Sequence, residues 1–153
     1  MKKNWWNALV PAAVLTALTA GVAMLFTDTD SAWYRSLVQP SIQPPPWVFI
    51  LGWTLLYVLC AWSLTLAIRR GVDAKTYGLF ALQAVCNILW CLTYFTLHLP
   101  WLALFILAVY LVAALLTMRR LLPISPLACW LLAPLAAWLV FAGVLNYLTI
   151  LLN

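Results

Sequence analysis

The sequence predicts an all-α polytopic membrane protein, a bundle of five transmembrane helices forming one domain over residues 1–153. Composition is the first reason. Hydrophobic residues make up 67% of the chain, charged residues 7%, and mean hydropathy is +1.05. A soluble domain carries roughly 25% charged residues, so this chain has too little polar surface to face water all round. The second reason is spacing: the apolar residues fall into five runs, about 6–26, 47–68, 77–97, 101–118 and 126–152. Each is near the ~20 residues that a helix needs to cross a bilayer core. The third is charge, which collects at alternate ends of those runs.

The first run opens as "MKKNWWNALVPAAVLTALTAGVAML". Two lysines before an apolar stretch resemble a secretory leader, but the stretch is as long as a spanning helix and longer than the usual leader core. It is read as a retained helix, with Ala12, Thr16 and Ala20 at four-residue spacing as a close-packing face. The connection 27–46 is the only one long enough to hold structure of its own. It leads into "QPSIQPPPWVFILGW", residues 39–53, with prolines at 40, 44, 45 and 46. Consecutive prolines fix φ and remove backbone donors, so the stretch cannot lie mid-helix and instead forms a stiff segment feeding a helix near Trp47.

In the second run Trp53 and Tyr57 stand one turn apart. In the third, Gln83, Asn87, Trp90 and Tyr94 follow i, i+4, i+7, i+11 and share one helical face. In the fifth, Trp138, Ala142 and Asn146 form a stripe, with Asn153 a further heptad on. Amides are costly in hydrocarbon, so these faces look into the bundle. Two readings fit the pattern: hydrogen-bonding ties between helices, or an aromatic-walled cavity for a flat, mostly apolar ligand. The remaining connections, "RRGVDAK", "HLP" and "RRLLPISP", are short and predict that consecutive helices are antiparallel neighbours.

With five spans, Lys2, Lys3, Arg69, Arg70, Lys75, Arg119 and Arg120 share one side, and Arg35 stands alone on the other with Asp28 and Asp30. The positive-inside rule then predicts a cytoplasmic N-terminus, with loop 27–46 and the C-terminus outside. The net charge of +5 comes from pairs at helix ends, not from a patch, and argues against a nucleic-acid partner. Of the ten tryptophans, Trp5, Trp6, Trp33, Trp47 and Trp101 lie near span boundaries as an interfacial belt, while Trp53, Trp62, Trp90 and Trp138 lie deeper. Cys60, Cys86, Cys91 and Cys129 sit in apolar runs without CxxC pairing, the pattern of small buried hydrophobes rather than disulfides or metal ligands. His98, the single histidine, has no carboxylate or cysteine beside it in sequence and reads as an interface residue. No nucleophile–base pair, phosphate loop or intramembrane carboxylate is present, which argues against side-chain catalysis.

Three blocks resemble one family. "WYRSLVQPSIQPPPWVFILGWTLLY" (33–57), "LQAVCNILW" (82–90) and "PLAAWLVFAGVLNYLTILLN" (134–153) are similar to the signatures of the TspO/MBR proteins. These are the tryptophan-rich sensory proteins of bacteria, related to the mitochondrial translocator protein or peripheral benzodiazepine receptor. The resemblance implies a five-helix bundle in a bacterial cell membrane, commonly a homodimer. It implies a porphyrin ligand (protoporphyrin IX or haem), with no cofactor required and sterol-like or isoquinoline-type compounds as further ligands. It assigns ligand contacts to Tyr34, Trp53, Tyr57, Asn87, Trp90, Trp138 and Asn146. A lid over the outer mouth would be formed by Trp33, Pro40, Pro44, Pro45 and Trp47. The implied role is sensor, carrier or regulator of tetrapyrroles. The alternative is an enzyme of light- and oxygen-dependent porphyrin degradation. Three departures stand out: Ser41-Ile42 where an aromatic usually ends the pair, Leu135 where tyrosine usually follows the proline, and no basic residue in "LTILLN" after Tyr147. The last casts doubt on a C-terminal sterol motif.

Overall fold

A computed structural model describes residues 4–153, so Lys2 and Lys3 of the expected basic end lie outside the described residues. Its helices begin where proline permits. The elements are α1 (Trp5–Phe26), α2 (Ala32–Ser36), α3 (Pro46–Arg70), α4 (Ala74–Cys91), α5 (Pro100–Leu121), α6 (Pro126–Trp130) and α7 (Ala133–Leu152). Proline stands in the first turn of α3, α5, α6 and α7, where its missing N–H would have no helical partner anyway. Among the described residues five spans are long and apolar enough to cross a membrane, as expected, and the first long connection does carry its own short helix, α2.

Two helices are less regular than the sequence suggests. The third span continues from α4 through one π-helical turn, Leu92–Thr96, closed by Leu97 N–H donating to Leu92 O at 2.9 Å. The wider turn lets three consecutive residues, Thr93, Tyr94 and Phe95, all be buried. The fifth span breaks at Leu131–Leu132 into α6 and α7, because Pro134 has no N–H to offer the Trp130 carbonyl.

The helices form a ring in the order α1, α4, α5, α7 with α6, α3, and back to α1. This corrects the expectation that all consecutive helices are neighbours: α3 and α4 do not pack side by side, although only Gly71–Asp73 joins them. The physical cause is α1. Its small-residue stripe brings its backbone against both, with Ala8 and Ala12 at 0% exposure and Thr19 and Ala23 buried further along. Thr16 and Ala20, assigned to that face from sequence, are half-buried beside it.

The end of the bundle bearing Arg69, Arg70, Lys75, Arg119 and Arg120 is tied by Asp73. This carboxylate caps α4, accepting from Thr76 N–H at 3.0 Å and Thr76 Oγ1 at 2.7 Å, and pairs with Arg120 from the end of α5. The Thr76 hydrogen bonds, helped by Arg120, hold the Asp73 carboxyl below its ordinary value of 3.8. A lowered pKa contributes stability that is present above the ordinary value and lost as pH falls through the lower native one. Thermal unfolding followed from neutral pH to below 3.8 should therefore show a falling Tm. Asp73→Asn should start lower and fall less steeply.

Candidate functional site

The buried residues of α3 are distributed unevenly. Ser63, Leu64, Thr65, Ala67 and Ile68 are buried in its basic-end half, but only Leu56 in the half nearer loop 27–46. That outer half meets α4 and α7 through rings instead of backbone. Trp53 lies 5.9 Å from Trp90 and 5.9 Å from Tyr57, and meets Trp138 edge-on at 6.2 Å. Phe49 also meets Trp138 edge-on, at 5.9 Å. Gly52 belongs to this contact: a Cβ there would stand 2.7 Å from the Trp138 ring, so only glycine leaves the indole its place. The network runs outward through Trp90 to Tyr94 and Phe95.

The polar atoms of this interior are incompletely partnered. Tyr57 donates its hydroxyl to Asn87 Oδ1 at 2.7 Å, and Asn87 is 1% exposed. Asn87 Nδ2, Trp90 Nε1 and Trp138 Nε1 are buried without a hydrogen-bond partner among the described residues. A buried donor left unpaired costs about 1–3 kcal/mol. Other amides tie helices together: Gln83 Nε2 donates to Thr117 Oγ1 at 2.7 Å, joining α4 to α5. Asn146 Nδ2 donates to Pro100 O at 2.9 Å, joining α7 to the start of α5, and only its Oδ1 is left without a partner. The helix-tie reading is thus realised at Gln83 and Asn146, while Asn87 keeps an unpaired donor.

Loop 27–46 covers the end of the bundle opposite the arginine pairs. Ser31 caps α2 by accepting from Tyr34 N–H at 3.2 Å, which directs Trp33 and Tyr34 onto the end of the third span. Trp33 stacks on His98 at 4.3 Å and meets Tyr94 edge-on at 5.7 Å; Tyr34 packs against Phe95 at 5.5 Å. Burial pushes the Tyr34 phenol up, and a hydrogen bond with Gln43 draws it partly back. His98 takes a left-handed φ of 56° in the turn to α5, and its ring is a platform for the loop. Pro40 is buried, Pro44 is half-buried and Pro45 is exposed at the head of α3.

Two expectations need correction. Trp47 is 62% exposed: one residue into α3, it turns to the outside, so it does not close the mouth. Trp62, expected deep, is 42% exposed and stacks on Trp5 of α1 at 5.8 Å. What sequence reading missed is the clasp. Val38 N–H donates to Asn153 Oδ1 at 2.9 Å, and Asn153 Nδ2 donates back to Val38 O at 3.1 Å. One side chain thus pairs with the loop as a strand would. The Asn153 position in the α7 stripe was visible, but its partner 115 residues away was not.

Two recesses, of about 260 Å³ between α4 and α5 and about 130 Å³ at the basic end, lie away from the aromatic interior. No group of three metal-ligating side chains exists among the described residues. Fold and site together define a five-span helical membrane protein whose aromatic interior is covered by a clasped loop. Residues 8–152 match the TspO/MBR family, and the chain belongs to it. It is 34% identical to the tryptophan-rich protein TspO of Archaeoglobus fulgidus over 93% of this chain and 95% of that one. It is 30% identical to the translocator protein of Bos taurus over 93% and 88%, and 29% identical to protein CrtK of Rhodobacter capsulatus over 78% and 77%.

The clasp has a measurable consequence. Asn153→Ala should speed amide exchange at Val38 and its neighbours roughly tenfold, as the loss of one or two hydrogen bonds of about 1 kcal/mol each requires. Exchange in α4 and α5 should stay unchanged.

Proposed function

We propose that the protein binds a tetrapyrrole such as protoporphyrin IX or haem among the rings of α3, α4 and α7, and that it acts as a sensor or carrier of that ligand. The observation carrying this reading is the trio of unpaired buried donors, Asn87 Nδ2, Trp90 Nε1 and Trp138 Nε1, within an aromatic interior. A flat ligand with a few acceptor atoms supplies what these groups lack, and offset stacking on indole adds attraction beyond apolar burial. The names of relatives, translocator protein and tryptophan-rich sensory protein, support a translocating or sensing role in the membrane.

The ligand takes the space by moving rings, not helices. Trp53 contacts Tyr57, Trp90 and Trp138 ring to ring, and α3 has little buried aliphatic packing in its half nearer loop 27–46 to resist their movement. Entry and exit proceed past the loop, with Trp33 and Tyr34 lifting from Tyr94, Phe95 and His98. Asn146 takes a supporting part through its unpaired Oδ1 while its Nδ2 holds α5.

Titration of protoporphyrin IX into the purified protein, followed by tryptophan quenching, tests the reading. Replacing both Trp53 and Trp138 with Leu keeps the apolar burial and removes stacking worth about 0.5–1.5 kcal/mol per ring, so affinity should fall roughly five- to a hundredfold. Trp101→Leu, at the exposed surface, should leave affinity unchanged. A second variant separates ligand contact from helix tie. Asn87→Leu should weaken binding while the bundle stays folded, because deleting the unpaired Nδ2 offsets the hydrogen bond that the Tyr57 hydroxyl loses. Lost stability with intact binding would reassign Asn87 to packing. Unchanged affinity in a folded Trp53/Trp138 double variant would refute the site.

A further inference from the structure

At the basic end, α3 and α6 enclose a recess of about 130 Å³ lined by Leu66, Arg69, Arg70, Ser125 and Leu127. The packing that forms it is firm: Ser63 Oγ, two turns before Arg70 on α3, donates to Ala128 O of α6 at 2.7 Å, fully buried. Arg69 is held by its flat face, with its guanidinium carbon 3.6 Å from the centre of the Trp5 ring. A guanidinium stacked in this way is held in one orientation. Its Nε is buried and has no hydrogen-bond partner among the described residues. Ser125, 5% exposed, adds a hydroxyl to the same recess.

The chain itself offers no anion here. Its acids are Asp28, Asp30 and Asp73. Asp28 and Asp30 lie beyond the opposite end of α1, where Asp30 pairs with Arg35, and Asp73 is engaged by Arg120 and Thr76. Two arginines and a serine therefore line one recess away from the chain's acids, and Arg69 carries a buried donor without a partner among the described residues.

We infer that this recess is a binding site for the phosphate of an anionic phospholipid, held by Arg69, Arg70 and Ser125. Arginine's fork matches two phosphate oxygens, and the serine hydroxyl matches a third. The recess, about 130 Å³, has room for a phosphate group. The surroundings select a lipid over a free ion. Leu66 and Leu127 form the apolar wall, and the exposed Trp62 and Trp5 rings mark this flank as the edge of the hydrocarbon layer. Basic pockets between spanning helices at a membrane face are suited to such headgroups.

The test uses the full chain reconstituted in nanodiscs of equal phosphatidylglycerol and phosphatidylcholine, with lipids retained on release counted by native mass spectrometry. One phosphatidylglycerol should remain per chain. Arg69→Gln with Arg70→Gln should reduce that retention roughly ten- to thirtyfold, on the usual strength of two arginines at an anionic surface. Arg69→Lys should recover only part, because it keeps the charge but not the fork. Arg119→Gln, exposed at the same end but outside the recess, should leave retention unchanged. Thermal unfolding in zwitterionic detergent checks folding, and Ser125→Ala should give a smaller loss in a chain that keeps both arginines. Equal loss with Arg119→Gln would reduce the effect to diffuse attraction and overturn the site. Retention of phosphatidylcholine as strongly as phosphatidylglycerol would overturn it too. Displacement by excess inorganic phosphate would overturn the lipid assignment in favour of the free ion.

Discussion

Indole rings stand between α3 and its partners where backbones would otherwise meet. Trp53 reaches Trp90 on α4 and Trp138 on α7, and the bundle closes around these contacts. Several other features follow from that constraint. Gly52 has no side chain because Trp138 occupies the space. The outer half of α3 buries a single aliphatic residue, while its basic-end half is packed conventionally against α1 and α6. The π turn of the third span exists to bury Tyr94 and Phe95 together, which extends the ring network to the loop.

This division gives the molecule a firm end and a yielding end. At the firm end, small residues of α1, the Ser63–Ala128 hydrogen bond and the Asp73–Arg120 pair join five helices (α1, α3, α4, α5 and α6) through short contacts. At the yielding end, flat rings contact one another at 5–6 Å with indole N–H groups unpaired. Ring contacts of this kind are individually weak and can be exchanged for contacts with another flat molecule. Backbone contacts between close-packed alanines cannot be exchanged in that way. The loop above is fixed by stacking on His98 and by the Asn153 clasp, both of which can be undone without disturbing a span.

Much of this was legible in the chain. Hydropathy and proline position located all five spans, because a helix in hydrocarbon must be long, apolar and internally hydrogen-bonded. The amide and tryptophan periodicities on the third and fifth spans identified Asn87, Trp90 and Trp138 as inward-facing, for the same reason. Depth along a span, however, does not report rotation about it: Trp62 and Trp53 look alike in sequence, yet one meets Trp5 at the surface and the other the interior. Short connections revealed neighbours at α4–α5 and α5–α7 but not at α3–α4, which the small-residue face of α1 holds apart. The Asn153–Val38 pairing and the π turn depend on tertiary fit and leave no local signature.

The claim that most depends on measurement is that the interior rings give way to a ligand while the firm end does not. Fluorine NMR of the protein carrying 5-fluorotryptophan, recorded with and without saturating protoporphyrin IX, reads each indole separately once assigned by single substitutions. Resonances of Trp53, Trp90 and Trp138 should move together, with those of Trp5, Trp101 and Trp130 unchanged. Shifts confined to the exposed tryptophans, or none at saturation, would contradict a site among the interior rings.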